Sequence, residues 1–211
     1  GHLTVTAAAH GSIYKYAIDR WSNIRPDFAS PHKFRLDFQW PGSQWKQQKI
    51  SDGLPLLVTE LKGDGQSCQI EQFATPLVNL TGQHTGNIET VLLTKLKFFG
   101  EEGQIKFYIN LNNEAKDSQL ELVKIRDNWA VVEKQTKYIW LMLETAKEVT
   151  IEVEVIPIDN GQMIFISLTD FLKKGEVKEV IVKLPSPAVA PAAASRIIDL
   201  KYLSARKSVI N

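Results

Sequence analysis

The sequence predicts an all-β protein, a large antiparallel β-sandwich followed by a C-terminal linker and a helix. Apolar and polar residues alternate with a period of two along most of the 211-residue chain, which is the pattern of half-buried strands. Turn signals that contain glycine, such as KGDGQ, GEEGQ and IDNGQ, separate the alternating runs. Convincing helical spacing occurs only near the end of the chain, so we expect a sandwich of about ten strands.

The alternating runs define the predicted strands. The most regular run, EVTIEVEV from Glu148 to Val155, places valine and isoleucine on one face and glutamate and threonine on the other. The run YIWLMLE from Tyr138 to Glu144 is apolar on both faces, which is typical of a central strand covered on both sides or of a surface that meets another domain. The other predicted strands are Lys33–Trp40, Leu54–Leu61, Ser67–Ala74, Thr90–Phe99, Gln104–Asn110, Gln119–Ile125, Asn128–Lys134, Gln162–Leu168 and Glu179–Leu184.

The chain changes character after the predicted sandwich domain, which spans residues 1–185. Residues 186–194 are rich in proline and alanine and are predicted to form a semi-extended linker. Residues 195–211 are predicted to form a helix, with Ser195 as its N-cap and with apolar residues at helical spacing. We expect this helix to be the start of a helical domain that follows the sandwich. The alternative is a helix that folds back onto the sandwich.

Composition and charge argue against several classes of partner and site. The 25 basic and 24 acidic residues are interspersed, so the chain has no basic stripe suited to nucleic acid. No apolar run approaches the roughly 20 residues of a transmembrane helix, and the first residues lack the features of a signal peptide. Cys68 is the single cysteine, which excludes an internal disulfide and a cysteine-rich zinc site, and its surroundings predict a small buried side chain.

No sequence motif predicts a catalytic, metal or cofactor site. The sequence contains no glycine-rich phosphate loop, no H-E-x-x-H pattern and no G-x-S-x-G elbow. The histidines fall in the N-terminal segment, at a strand start or in a loop: His2, His10, His32 and His84. Glutamates such as Glu152 lie on the polar side of an alternating strand, where solvated charges are expected. We therefore predict no catalytic residue in this chain.

The stretch FQWPGSQWKQQK supplies the candidate contact residues. Trp40 and Trp45 flank a Pro-Gly pair, and their rings could stack on the apolar face of a pyranose while Gln44 and Lys46 supply hydrogen bonds. The alternative is that both tryptophans pack in or over the core. We interpret Pro41 to Gly53 as a long polar loop that serves as a substrate lip or a domain interface.

A local resemblance to a known family covers about Gly53 to Leu77. The strand LPLLVTEL, the turn KGDGQ and the strand SCQIEQFATPL resemble a hairpin in the N-terminal β-supersandwich of bacterial glycoside hydrolases and phosphorylases. That supersandwich is galactose mutarotase-like and precedes a catalytic (α/α)6 barrel. The resemblance implies a noncatalytic accessory domain that buttresses its own downstream helical catalytic domain and lines part of the sugar site. It also implies a bacterial parent protein that is periplasmic or extracellular.

Two other functions stay open on the sequence alone. One is an autonomous carbohydrate-binding module, which measurable affinity of the isolated chain for an oligosaccharide would favour. The other is an aldose mutarotase-like enzyme, which needs a general acid and a general base such as a histidine and a glutamate close to the sugar ring. Glu60 and Glu71 lie on the hairpin that carries the resemblance, either as an acid/base pair or as structural partners of neighbouring lysines.

Overall fold

A computed structural model describes residues 3–7, 14–26, 34–77, 88–114 and 117–210. Within these ranges the chain forms an antiparallel sandwich of two sheets, so the predicted fold class is confirmed. The strands, in chain order, are β1 (Thr4–Ala7), β2 (Lys15–Ile18), β3 (Ile24–Pro26), β4 (Phe34–Gln39), β5 (Gln44–Ile50), β6 (Leu57–Lys62), β7 (Gln66–Pro76), β8 (Thr90–Gly100), β9 (Gly103–Asn113), β10 (Leu120–Ile125), β11 (Asn128–Glu133), β12 (Ile139–Thr145), β13 (Thr150–Ile158), β14 (Gly161–Leu172) and β15 (Lys178–Ser186).

The two sheets have seven and eight described strands. The seven-stranded sheet runs in the order β1-β2-β3-β4-β9-β14-β13, and the eight-stranded sheet runs in the order β10-β11-β12-β15-β8-β7-β6-β5. All eleven predicted strands overlap a strand of the structure, β4 and β6 to β15. The predictions did not include β1, β2, β3 and β5. The doubly apolar run becomes β12, which lies between β11 and β15 and is covered on both faces.

The main core lies between the two sheets. The inward side chains of β9, such as Phe107, are fully buried and meet those of β8, such as Phe98, whose ring lies edge-on at 5.5 Å between centroids. Burial of these apolar residues is the main force that holds the two sheets together. Tyr16 on β2 links the sheets as well, because its hydroxyl donates a 2.9 Å hydrogen bond to the carbonyl of Leu184 on β15.

A second apolar cluster covers the outer face of the eight-stranded sheet. Here a short 3-10 helix (Pro191–Ala193) is followed by helix α1 (Ala194–Asp199) and helix α2 (Tyr202–Ile210). Tyr202 packs against Phe73 of β7, with 5.3 Å between ring centroids. The C-terminal segment thus folds back onto the sandwich, and whether it also leads into a helical domain stays a prediction.

The C-terminal segment differs in detail from the single helix that the sequence predicts. The chain is extended at Leu200, so two helices form instead of one, and α1 is capped at Ala193 rather than at Ser195. Within the predicted linker, Val189 is buried and exchanges two hydrogen bonds with Ile139 of β12. None of the described helices has both the length and the apolar composition that a membrane span requires.

Candidate functional site

A cleft opens at the edge of the core, where the turn between β2 and β3 and the turn between β4 and β5 approach β6. Its volume is about 400 Å³, which lies within the usual range for small-molecule pockets. We call it the tryptophan cleft. Its described lining consists of Trp21, Asn23, Phe38, Gln39, Trp40, Pro41, Ser43 and Leu61.

The turn between β2 and β3 places Trp21 in the wall of the cleft. The Oδ1 atom of Asp19 accepts hydrogen bonds from the backbone N–H of Trp21 at 2.8 Å and of Asn23 at 3.0 Å, as aspartate does in tight turns. The side chain of Asn23 then accepts a 2.9 Å bond from the backbone N–H of Phe38 on β4. These bonds fix the turn, and with it the backbone of Trp21, against the next strand.

A buried polar network fastens the same turn to the opposite sheet. Ser22 has a left-handed backbone with φ of 69°, and its hydroxyl donates a 2.7 Å bond to Thr59 on β6. The side-chain amide of Gln72 on β7 donates to the carbonyl of Ser22 at 3.0 Å, and that of Gln48 on β5 donates to the carbonyl of Asp19 at 2.7 Å. Because buried polar groups are costly unless they are bonded, this network holds the turn in one conformation.

The turn WPGS places Trp40 on the other side of the cleft. The backbone N–H of Ser43 donates to the carbonyl of Trp40 at 3.1 Å, and Gly42 supplies the positive φ of 79° that such a Pro-Gly turn requires. The Trp40 ring lies edge-on to Phe98, with 5.8 Å between centroids. A Cβ atom at Gly63 would lie 2.9 Å from the Trp40 ring, so glycine is needed there for the ring to keep its position.

The interpretation of Pro41 to Gly53 as a long loop is wrong. Residues Gln44–Ile50 form β5, the edge strand of the eight-stranded sheet, which pairs with β6. The register shifts between Trp45 and Gln47, so the two-residue alternation is interrupted there. The strand is polar because most of it faces solvent, and Gln47 donates a 2.8 Å bond across to Glu60.

Three of the four predicted contact residues lie on β5 beside the cleft, and Trp40 alone belongs to its described lining. The Trp45 ring packs against the main core, and the guanidinium of Arg20 lies 5.6 Å from its centroid and 5.7 Å from that of Trp21. Lys46 and Gln44 are exposed and bond to each other at 3.3 Å. The structure therefore places Trp40, and not Trp45, in the described lining of the cleft.

The sequence reasoning missed Trp21 and Asn23, which the structure brings to the cleft. Their segment, DRWSN, has an aspartate, a serine and an asparagine around one tryptophan, and these are turn-forming residues. That composition predicts a turn that exposes Trp21. It was overlooked because the flanking strands β2 and β3 are only four and three residues long.

The carboxyl of Glu71 serves to attach α2 to the sheet. It accepts hydrogen bonds from the hydroxyl of Tyr202 and from Arg206, whose Nε atom lies 2.7 Å away. Burial acts to raise the pKa of Glu71, but the bonds from Arg206 and Tyr202 outweigh it and hold the pKa below its usual value. Glu60 bonds instead to Gln47 on β5. The two glutamates lie on the paired strands β6 and β7, but each has its own hydrogen-bond partners.

The described residues do not test the mutarotase alternative, which stays a prediction. The four histidines, His2, His10, His32 and His84, lie outside the described residues. Within the described ranges, no group of three or more histidine, cysteine and acidic side chains is arranged to hold a metal ion.

The described lining of the tryptophan cleft contains aromatic, aliphatic, amide and hydroxyl groups, and no acidic or basic side chain. Aromatic, amide and hydroxyl groups are the groups that stack on and hydrogen-bond to neutral polar molecules. The sequence matches no protein-family model and no curated protein.

Proposed function

We propose that this chain is a noncatalytic carbohydrate-binding sandwich, acting as the accessory domain of a carbohydrate-active enzyme, and that it contacts a neutral saccharide in the tryptophan cleft. The observation that carries the proposal is the uncharged lining, in which two indole rings stand beside amide and hydroxyl groups. A pyranose has an apolar face of C–H groups and a rim of hydroxyls, and this lining complements both.

The residues of the cleft would make different contacts with the saccharide. Trp21 and Trp40 supply the aromatic surface, and the hydrogen-bonded turns hold both rings in place. Gln39 and Ser43 line the cleft, and their side chains make no hydrogen bond with the described part of the chain, so they can bond to sugar hydroxyls. Asn23 has one donor and one lone pair already used, and it contributes mainly by fixing the turn.

Titration calorimetry of the isolated chain tests this proposal. The ligands are neutral oligosaccharides of glucose, galactose, xylose or mannose, and we expect at least one to bind with a dissociation constant of about 1 mM or tighter. Trp21→Ala should weaken that binding by about tenfold or more, since the stacking surface is lost. Tyr138→Ala removes an exposed aromatic ring elsewhere and should leave the affinity unchanged.

Two results would overturn the proposal. One is the absence of binding by every oligosaccharide in the panel. The other is an equal loss of affinity in Trp21→Ala and Tyr138→Ala, because the loss would then not locate the binding site in the cleft. Circular dichroism of both variants verifies that the sandwich is intact.

Helix α2 favours a second role, that of a buttress for a helical domain of the same protein. Leu203 is 68% exposed and Ile210 is 38% exposed, and their spacing of seven residues puts both on one side of the helix. Tyr202 and Ala205 already face the sandwich, so the exposed pair is available to a further helix. The reading frame downstream of Asn211 tests this role. Several hundred residues with helical periodicity would support it, and an immediate stop codon would exclude it.

A further inference from the structure

A second cavity lies at one end of the eight-stranded sheet, close to the junction of α1 and α2. Its volume is about 490 Å³, and we call it the lysine pocket. It forms where the β10–β11 turn, the β12–β13 turn and the helix junction come together. The residues with polar or aromatic groups in its lining are Lys124, Asp127, Asn128, Trp129, Glu144, Thr145, Lys147 and Lys201.

The lining carries three ammonium groups that have no carboxylate partner. Within the described part of the chain, Lys124, Lys147 and Lys201 form no ion pair. The Nζ atom of Lys124 lies 4.9 Å from the ring centroid of Trp129, so its charge is held beside the one aromatic wall of the pocket. Like charges gathered around one cavity repel each other, and an anion placed between them relieves that repulsion.

The acidic residues of the pocket do not neutralise these lysines. Glu144 pairs at 3.2 Å with Lys183, a fully buried lysine that is not part of the lining. Asp127 is then the one lining carboxylate without an ion pair among the described residues. The pocket therefore has three unpaired positive charges against one negative charge, in a chain whose formal net charge is only +1.

We infer that the lysine pocket binds an anionic saccharide, meaning a sugar ring that carries a carboxylate or a phosphate. The lysines attract and hold the anionic group, and Asn128 and Thr145 offer the sugar ring an amide and a hydroxyl. The site is separate from the tryptophan cleft, with which it shares no lining residue. The inference does not depend on the function proposed for that cleft.

Calorimetry at low ionic strength with four small probes tests the inference. The probes are glucuronate, glucose 6-phosphate, glucose and inorganic phosphate. We expect at least one of the two anionic sugars to bind at least about tenfold more tightly than both glucose and inorganic phosphate, and the tighter one identifies the preferred anionic group. About 0.5 M sodium chloride should weaken this binding, because salt screens exposed charges.

Each other outcome contradicts the inference. Equal affinity for glucose would mean that the lysines do not contribute, and equal affinity for inorganic phosphate would mean that the sugar ring does not. No binding by either anionic sugar would leave the pocket without the proposed ligand class.

Variants of exposed lysines locate the binding. The double variant Lys147→Gln/Lys201→Gln should lower the affinity for the anionic sugar about tenfold or more, and it should leave the fold intact because both side chains are exposed. Lys207→Gln, in an exposed position on α2, is the matched control and should have no effect. An equal loss in the control would show nonspecific attraction and overturn the inference. Trp21→Ala should not change binding of the anionic sugar, so the two proposals fail independently.

Discussion

Replacing Lys183 with methionine removes a buried ammonium that fastens the C-terminal helices to the sandwich. The Nζ atom of Lys183 donates hydrogen bonds of 3.0 Å to the carbonyls of Ile197 and Leu200, and it pairs with Glu144 at 3.2 Å. These carbonyls lie at the end of α1, where a helix leaves its last carbonyls without partners and where positive charge is favourable. Lys183 thus acts as the cap of α1 from within the sheet.

The expected loss can be worked out from these contacts. The carbonyl of Leu200 loses its donor, which costs about 1–3 kcal/mol for a buried group, whereas the carbonyl of Ile197 keeps a 3.3 Å bond from the backbone N–H of Leu200. Burial lowers the pKa of Lys183, partly offset by Glu144, which shows that the buried ammonium is itself unfavourable. Methionine avoids that cost and fills a similar volume, so no cavity forms. The net loss in free energy of unfolding should be about 1–2 kcal/mol.

Urea unfolding followed by tryptophan fluorescence measures the loss, and hydrogen exchange locates it. Exchange should quicken mainly in residues 194–210, because α1 and α2 lose their attachment while the sheets keep theirs. Lys201→Met at the exposed end of the same junction is the control, and its effect should stay within about 0.5 kcal/mol. If Lys183→Met costs less than about 0.5 kcal/mol, or if exchange of the helices is unchanged, the capping role is refuted.

Three further predictions concern other parts of the sandwich. The pKa of Glu71 is lowered in the folded state, so its bonds to Arg206 stabilise the protein above pH of about 4.5 and are lost as the pH falls through the lowered value. Glu71→Gln should be less stable than the unchanged protein at pH 7, and its melting temperature should fall less between about pH 5 and pH 3. Thermal unfolding measures both, and an equal fall in the two proteins would contradict the role of Glu71. Trp45→Ala should lower the free energy of unfolding in urea by about 2 kcal/mol, because the half-buried ring packs against the main core and Arg20 lies over it. A change under about 0.5 kcal/mol would mean that the ring does not stabilise the core. Burial raises the pKa of the Cys68 thiol, so a thiol reagent should modify it only after unfolding in urea, and rapid native modification would contradict its burial.

The sequence pattern predicted strands where one face is buried and the other is wet. The strand β5 was not predicted, because it is an edge strand with an irregular register and its residues from Gln44 to Ile50 show no regular alternation. The strands β1 to β3 were not predicted, because three or four residues are too few for a period to be recognised. Prediction from alternation therefore succeeded for β4 and for β6 to β15, including the edge strands β10 and β13, and it failed for the short strands β1 to β3 and for the irregular edge strand β5.

The sequence predicted the parts of the candidate site whose conformation depends on neighbouring residues in the chain. The Pro-Gly turn indicated a bend at Trp40, and Trp40 does line the cleft. The position of Trp21 depends on contacts between distant parts of the chain, such as the bond from Asn23 to Phe38, fifteen positions apart. The carbonyl of Leu200, at the break between α1 and α2, likewise accepts its bond from Lys183 in β15, seventeen positions away. Pairings of this kind follow from strand register, which the local pattern does not encode.

The two cavities are held by different parts of the molecule, and this difference links the capping role of Lys183 to binding. Hydrogen bonds from the turn between β2 and β3 to β4 and β6 hold the tryptophan cleft, whereas one wall of the lysine pocket consists of Ile198 and Lys201 at the α1–α2 junction. Lys183→Met should loosen that junction, so we expect it to weaken binding of the anionic sugar several-fold and to leave binding of neutral oligosaccharides unchanged. Calorimetry of the variant with both ligands measures the two effects in one protein. Equal losses at both cavities would mean that the substitution disturbs the sandwich as a whole, and no loss at either would mean that the junction does not shape the pocket.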